Sequence, residues 1–371
     1  MKMLRGYKFR IYPNKQQENF INQNIGACRF IYNIMLRDKI DYYEREKKSL
    51  QTTPAQYKDE FEWLKQIDAY TLCNEQMNLQ TAFNNFFRSP KVGFPKFKSK
   101  KRGKSSYTTS NVNNVIKLID NKHIKLPKIK SLRIKLHRQL PENSKIKSAT
   151  IERKPSGKYY ISFCVEYESQ VPSIELDKTK AIGLDYSSHD FYVDSEGNRA
   201  NYSQYYRNSQ KKLARAQKRL NRKKQGSNNY SKQKIKVAMI HEKIANSRND
   251  FLHKTSSRLA NNYDYICVED INLQSISRCL NLGKSTYDNS FGIFRNYLQY
   301  KLEERGKRLL KIGKFEPSTI ICSECGAYHK DIVNSLSVRE WTCPDCGTYH
   351  NRDVNAAKNI LKAALNQLIS F

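Results

Sequence analysis

Apolar or aromatic residues alternate with basic ones in the segment KMLRGYKFRIYP, and the alternation stops at Pro13. A period of two is typical of a strand. From Asn14 to about Phe87 the apolar positions recur every three or four residues, which predicts helices. Strand patterns return over residues 112–168, with a hairpin signal at Pro155 to Gly157. We therefore predict a small antiparallel β-barrel that the first strand closes and that a helical insertion interrupts.

A second unit begins near Lys180. The segment AIGLDYSSHDFYVDSEGNRA predicts a buried strand that ends at Asp185, then a second strand and a turn. Two long helices follow, and YDYICVEDINL predicts another buried strand, which ends at Glu269 and Asp270. A helix around Phe291 to Arg305 and a short strand lead into a cysteine-rich segment. The chain is therefore predicted to be an α/β multidomain protein.

The charge of the chain points to a polyanionic partner. Its 371 residues contain 67 Lys plus Arg against 35 Asp plus Glu, a formal net charge of +32. The 24 tyrosines add aromatic faces that can stack on unpaired bases. A merely solvated basic surface is the alternative, but clustered cations favour nucleic acid. No apolar run is long enough to span a bilayer, so we expect a cytoplasmic protein without membrane attachment.

Two basic clusters are candidate nucleic-acid contacts. The first is a loop rich in Pro, Gly and Ser, with cations at Lys96, Lys98, Lys100, Lys101, Arg102 and Lys104. The second is a helix that carries Lys211, Lys212, Arg215, Lys218, Arg219 and Arg222 without an acidic partner. Either cluster could be only a solvated surface, but their number makes phosphate contact the better interpretation.

Four cysteines have the spacing of a zinc site. Cys322 and Cys325 form one C-x₂-C pair, Cys343 and Cys346 form the other, and seventeen residues separate the pairs. Each half continues as C-x-x-C-G-x-Y-H, so we predict two related knuckles around one structural Zn²⁺, with the histidines outside the coordination sphere. Two redox-active pairs are the alternative, but the expected βαβ context is missing. The other five cysteines have no disulfide spacing, which suits a reducing compartment.

Three acidic residues stand where predicted elements end or begin. Asp185 and Glu269 follow buried strands, and Asp353 opens the helix VNAAKNILKAAL. Each alone has an ordinary explanation as a turn residue or a helix N-cap. Together they would converge on one point of an α/β sheet, where clustered carboxylates hold hard cations such as Mg²⁺. Two such ions support phosphodiester hydrolysis, so a basic protein with this set is a nuclease candidate.

The order of these motifs resembles a known family. GLDYSSHDFYVDSEGN, ICVEDINL and NRDVNAAKNIL are similar to the three parts of a split RuvC-like nuclease domain, and the CSECG/CPDCG ribbon falls between the last two. This arrangement, with the N-terminal YKFRIYPNKQQENFINQNIGACRFIYN, resembles the TnpB family of transposon-encoded RNA-guided DNA endonucleases. The resemblance covers nearly the whole chain.

The resemblance implies an RNase H-like nuclease domain whose Mg²⁺ ligands and catalytic residues are Asp185, Glu269 and Asp353. It implies a guide RNA from the transposon end and a DNA target, both double-stranded and single-stranded, beside a short flanking motif. Readers of that motif are expected in the helical insertion and near Tyr107 and Thr108. The implied domains are a wedge-like β-barrel (1–13 and 96–176), a helical recognition insertion (14–95), a split RuvC-like domain (177–316 and 351–371) and the zinc ribbon (317–350).

One position departs from the family pattern. Many relatives have glycine two residues after the first acid, where this chain has Ser187 followed by Ser188. Because glycine permits close backbone approach, serine could change the geometry or the rate. Three other interpretations stay open. They are an RNA-guided repressor that does not cut, a miniature type V CRISPR effector, and a transposase that uses the same acids.

Overall fold

The structure is a computed structural model, and it describes residues 2–101, 103, 105–168, 171–273, 275, 283–313, 316–333 and 337–368. Its contacts divide the chain into two compact units, Met1–Ser169 and Gln170–Phe371. In the described part of the chain, no helix is both long and apolar enough to cross a membrane. Arg102 and Lys104 of the predicted basic loop and Cys279, one of the five other cysteines, lie outside the described residues.

The first unit combines one sheet with a helical segment. Its strands are β1 Lys2–Tyr12, β2 Ser106–Ser110, β3 Lys117–Leu118, β4 His123–Leu126, β5 Ile129–Lys135, β6 Lys145–Arg153 and β7 Tyr159–Glu168. Its helices are α1 Lys15–Glu46, the single turn α2 Tyr57–Glu60 and α3 Ala69–Arg88, with 3-10 turns at Pro54–Gln56 and Glu62–Gln66. Asn14 and Gln17 form a capping box at the start of α1, which explains why the helix begins directly after Pro13.

The seven strands form one antiparallel sheet in the order β2-β6-β7-β1-β5-β4-β3. Strand β1 lies between β7 and β5, so the first strand joins a sheet made later in the chain, as the sequence predicts. The predicted barrel is not closed, because β2 and β3 remain edges in the part of the sheet that the structure describes. Helix α1 covers the apolar face instead, with Ile21 and Ile25 buried against it.

The second unit is built on a smaller sheet. Its strands are β8 Ala181–Ser187, β9 Phe191–Asp194, β10 Tyr265–Glu269, β11 Arg308–Ile312, and the separate hairpin β12 Glu340–Thr342 with β13 Tyr349–Asn351. Its helices are α4 Tyr205–Asn221, α5 Asn228–Asn262, α6 Gly283–Asn289, α7 Phe291–Glu303 and α8 Arg352–Asn366. The four-stranded sheet has the order β11-β10-β8-β9.

Strands β8, β10 and β11 are parallel, and β9 is an antiparallel edge. The sequences of the parallel strands are near-continuous apolar runs because helices cover the sheet. Ile182, Leu184 and Val268 pack with the aromatic residues of α7 and the apolar residues of α5. The α/β architecture predicted for this half of the chain is therefore present.

Candidate functional site

Asp185 and Glu269 lie side by side at one edge of the second sheet. Leu184 on β8 pairs with Val268 on β10 in parallel register, and each acid follows its paired residue directly. Neighbouring strands are about 4.8 Å apart, and parallel strands end at the same edge. Parallel register therefore places the two carboxylates at adjacent positions.

Asp353 stands in the first turn of α8 and is not the cap of that helix. The N-cap is Asn351, whose side-chain oxygen accepts a hydrogen bond from the backbone N–H of Val354 at 3.3 Å. Because the cap is filled by another residue, the ordinary explanation for this acid does not apply. The side chain of Asp353 is 20% exposed, and Arg339 Nη1 lies 3.7 Å from its Oδ1.

Gly183 lets α8 approach β8 very closely. A Cβ atom added to Gly183 would lie 2.1 Å from the carbonyl oxygen of Ala357 and 3.0 Å from Leu361 Cβ. Gly183 precedes Asp185 by two residues on the strand, and Ala357 follows Asp353 by one helical turn. The absent side chain at Gly183 therefore determines how near Asp353 comes to Asp185.

The electrostatics of Asp185 indicate that the other two acids lie near it. Burial raises the pKa of Asp185 to about 8, and the negative charges of Asp353 and Glu269 contribute to the rise. Arg352 opposes the shift. Burial also raises the pKa of Glu269. A buried carboxylate beside two others is unfavourable unless it is protonated or bound to a cation.

The three carboxylates are spread over more space than one ion would occupy. Among the described residues, Asp185, Glu269 and Asp353 do not all come within 4.8 Å of one another. A single small cation takes ligands only about 2.1 Å from its centre. As placed, the three carboxylates therefore cannot all coordinate one such ion at once.

The four predicted cysteines come together. Cys322 Sγ and Cys346 Sγ are 3.7 Å apart, as are Cys325 Sγ and Cys343 Sγ, and all four sulfurs lie within 4.8 Å of one another. Four sulfurs at about 2.3 Å from a tetrahedral Zn²⁺ would be roughly 3.8 Å apart. Disulfide sulfurs would be about 2.05 Å apart. The donor set and its spacing therefore fit zinc.

Both knuckle histidines reach across to the opposite knuckle. His350 Nε2 lies 3.1 Å from Cys322 Sγ, and His329 Nε2 lies 3.2 Å from Cys343 Sγ. The ring of Trp341 packs against both imidazoles, with its centroid 4.7 Å from that of His350 and 5.6 Å from that of His329. These positions suit N–H groups that donate to thiolates from outside the coordination sphere.

Several residues of the predicted basic loop have internal partners. Lys98 forms an ion pair with the buried Glu75 and lies over the ring of Tyr32 at 4.2 Å. Tyr107 is buried in the core of the first unit, so its ring cannot stack on a base. The hydroxyl of Thr108 hydrogen-bonds that of Thr150 at 2.8 Å. Of the described cations in this loop, those exposed to solvent are Lys96, Lys100 and Lys101.

The predicted basic helix is exposed and forms one wall of a groove. Five of its six predicted contact residues are exposed on α4, and the sixth, Arg222, is exposed at the C-cap of the helix. The groove between α4 and α5 has a volume of about 790 Å³ and is lined by the cations Lys211, Lys212, Arg215, Arg219, Lys236 and Lys243. The last two belong to α5 and were not predicted. Their spacing of seven residues, two helical turns, is the signal that could have identified them.

The serine that replaces the family glycine causes no backbone strain. Ser187 and Ser188 are not among the described residues with positive φ. The hydroxyl of Ser187 accepts a hydrogen bond from the N–H of Asp190 at 3.1 Å and so stabilises the turn after β8. Glycine is therefore not needed at this position for conformational reasons.

Three family models match the chain. OrfB_IS605, described as "Probable transposase", matches residues 162–279, and the "Cas12f1-like, TNB domain" model matches residues 291–360. A "Helix-turn-helix domain" model matches residues 1–48, where the structure has β1 and α1. The chain is also similar in fold to a solved chain titled "Cryo-EM structure of the Cas12f1-sgRNA-target DNA complex". The TM-score is 0.58 and the identity 14%, over 97% of this chain and 99% of that one.

Curated relatives match almost end to end. One, "Putative RNA-guided DNA endonuclease" of Streptomyces pristinaespiralis, is 32% identical over 97% of this chain and 89% of its own length. Another, "Putative RNA-guided DNA endonuclease InsQ" of Escherichia coli K12, is 32% identical over 98% of this chain and 93% of its own length. The α/β fold and the full-length relatives define a protein of the α/β nuclease class. The chain belongs to the TnpB family.

Proposed function

We propose that this protein is an RNA-guided DNA endonuclease that uses a guide RNA to cleave DNA next to a short flanking motif. The observation that carries the proposal is the meeting of Asp185, Glu269 and Asp353 at one edge of the second sheet. The names of the full-length relatives and the net charge of +32 support it. Base pairing would read the sequence, while the protein supplies cations for phosphates.

Asp185, Glu269 and Asp353 would hold Mg²⁺. Bound Mg²⁺ would make water a nucleophile at neutral pH and stabilise charge on the leaving oxygen. Asp185 must release its proton to take part, because burial and its neighbours favour the protonated form in the absence of a cation. Arg352 favours the ionised form of Asp185, and Arg339 lies beside Asp353. The protein would thus prepare a carboxylate cluster that a bound cation stabilises in its ionised form.

The domain assignment is part of the proposal. We propose that residues 177–316 and 351–371 form a split RuvC-like domain and that residues 317–350 are a ribbon on structural Zn²⁺. Residues 1–13 and 96–176 would form the wedge, and residues 14–95 the recognition insertion. The sulfur spacing supports zinc. The solvent-exposed cations of the α4–α5 groove are the best supported phosphate contacts in the described part of the chain.

The test is cleavage by the protein purified with its RNA. We would express the gene with its native downstream DNA, sequence the RNA that copurifies, and supply a plasmid that matches the guide. We expect cleavage with Mg²⁺, none with EDTA, and at least about 10³-fold slower cleavage for Asp353→Asn. Asp250→Asn, which neutralises an exposed acid on α5, is the matched control. Uncut matched DNA with Mg²⁺ would leave a binding protein as the remaining interpretation.

The same experiment distinguishes the two guided settings. A transposon-end transcript in the purified complex supports a transposon-encoded nuclease. RNA with alternating repeats and spacers supports a CRISPR effector, which the fold similarity to the Cas12f1 chain keeps open. The protein chemistry proposed for Asp185, Glu269 and Asp353 is the same in both settings.

A further inference from the structure

Helix α8 contacts two different parts of the second unit with two faces. Ile360 and Ala364 pack with Cys267 and Ile312 on the sheet. Another face presents Asn355, Asn359 and Lys362, spaced four and three residues apart, to the first cysteine knuckle. The helix that carries Asp353 is therefore fixed between the sheet and the metal ribbon.

Two asparagines make the contacts to the knuckle. Asn355 Oδ1 accepts a hydrogen bond from the N–H of Ser323 at 2.8 Å, and its Nδ2 donates to the carbonyl oxygen of Ile321 at 2.8 Å. Asn359 Nδ2 donates to the carbonyl oxygens of Ser318 and Ile321, both at 2.7 Å. Lys362 Nζ donates to the carbonyl oxygen of Ser323.

These contacts are specific to the folded knuckle. Asn355 is 1% exposed and Asn359 is 9% exposed, so each buried amide depends on the knuckle for its hydrogen bonds. Asparagine is a poor helix former, and propensity alone does not explain two of them inside α8. The carbonyl oxygen of Ile321 and the N–H of Ser323, which these amides bind, flank Cys322. Cys322 is one of the four cysteines whose sulfurs lie close together. Without the metal, the amides would lose partners of fixed geometry.

We propose that Asn355 and Asn359 couple the loaded ribbon to the position of Asp353. They are positioning residues that act through α8. Asn355 lies two residues after Asp353, so a shift of the knuckle would displace the first turn of the helix. The coupling is reciprocal: zinc at the cysteines strengthens Mg²⁺ binding at the acids, and Mg²⁺ strengthens zinc binding to the same extent. This inference rests on the proposed carboxylate site.

The first experiment measures hydrogen exchange in the full protein–RNA complex, with zinc bound and after removal by a chelator. In the wild type we expect zinc removal to increase amide exchange over residues 352–358 by about tenfold. The variant Asn355→Ala/Asn359→Ala should exchange rapidly there even with zinc bound. Asn366→Ala, an exposed asparagine on the same helix, is the control. Slow exchange in the double variant, or no zinc effect in the wild type, overturns the proposal.

The second experiment measures Mg²⁺ affinity by calorimetry without DNA. Bound zinc should increase the Mg²⁺ affinity of the wild type by about fivefold or more. In the double variant, bound zinc should increase the Mg²⁺ affinity by less than about twofold. An equal zinc effect in both proteins overturns the coupling.

Because removing two buried amides can unfold α8, Asn359→Asp is the second variant. It keeps the shape but places an oxygen against two carbonyls, and should also lose the zinc effect. If the wild type shows the exchange effect but binds no Mg²⁺, the nuclease site fails while the contact to the ribbon stands.

Discussion

Replacing Gly183 by alanine tests whether the close approach of β8 and α8 sets the acidic site. The added Cβ would lie 2.1 Å from the carbonyl oxygen of Ala357. Ordinary van der Waals contact begins at 3.4 Å, so the atoms must separate by about 1.3 Å. The obstructing atom belongs to the backbone, so no rotamer change relieves the clash. We expect the helix that carries Asp353 to move.

A displacement of about 1 Å in a catalytic group can reduce the rate about 10²-fold. Overpacking adds a stability cost of about 1–3 kcal/mol. We therefore expect Gly183→Ala to remain folded but to cleave matched DNA about 100-fold more slowly in single turnover. Thermal melting of the metal-free protein would measure the stability cost separately, at a temperature well above that of the cleavage assay.

Gly292→Ala is the matched control, because among the described residues its added Cβ would meet Leu273 Cδ1 alone, at an ordinary contact distance of 3.5 Å. We expect this variant to cleave like the wild type. If Gly183→Ala cleaves within about threefold of the wild type while folded, the spacing argument is wrong. A loss of cleavage that follows only the fraction of unfolded protein would also refute it.

Four further results are expected. In the metal-free protein, Asp185 loses its proton near pH 3.8 in the unfolded chain but only near pH 8 in the folded chain. Between these values the folded chain holds one more proton, so its stability should fall with rising pH by up to about 1.4 kcal/mol per pH unit. Urea unfolding at a series of pH values should show a flatter stability profile for Asp185→Asn. His350→Ala should weaken zinc binding about 10- to 100-fold in competition with a chromophoric chelator, because Cys322 loses its N–H donor; unchanged affinity would contradict this role. Lys98→Ala should cost about 2 kcal/mol of stability, moderated by its partial exposure, without changing the salt dependence of RNA binding. Lys212→Ala should instead reduce the salt slope by about one without affecting melting.

The acidic site was predictable because its signals are local. Asp185 and Glu269 each end a short apolar run, and parallel strands that are buried on both faces read as such runs. The cysteine site was predictable from spacing alone, since the two-residue separation within each pair already defines a knuckle. Neither signal needs knowledge of the tertiary contacts.

Other features depend on partners that are distant in the sequence. Lys98 looked like a free cation because its partner Glu75 lies 23 residues earlier, on α3. The open sheet was predicted as a closed barrel because nothing local shows that α1 covers its apolar face. The burial of Tyr107 could have been predicted from the alternation of its strand, since Tyr107 and Thr109 are the buried positions. Tyr107 was instead expected to lie near the reader of the flanking DNA motif.

The carboxylate cluster and the structures around it follow from one physical requirement. Three neighbouring acids repel one another, and burial together with the charges of Asp353 and Glu269 raises the pKa of Asp185, so its ionised form is unfavourable when no cation balances it. Such a cluster persists only if the surrounding contacts fix the elements that carry it. Parallel pairing fixes β8 against β10, and Gly183 allows α8 to pack directly on β8. The ribbon holds the other face of α8 through buried amides. An insertion between the second and third acids is therefore suited to a structural task, because it begins beside the sheet and ends at the helix that completes the site.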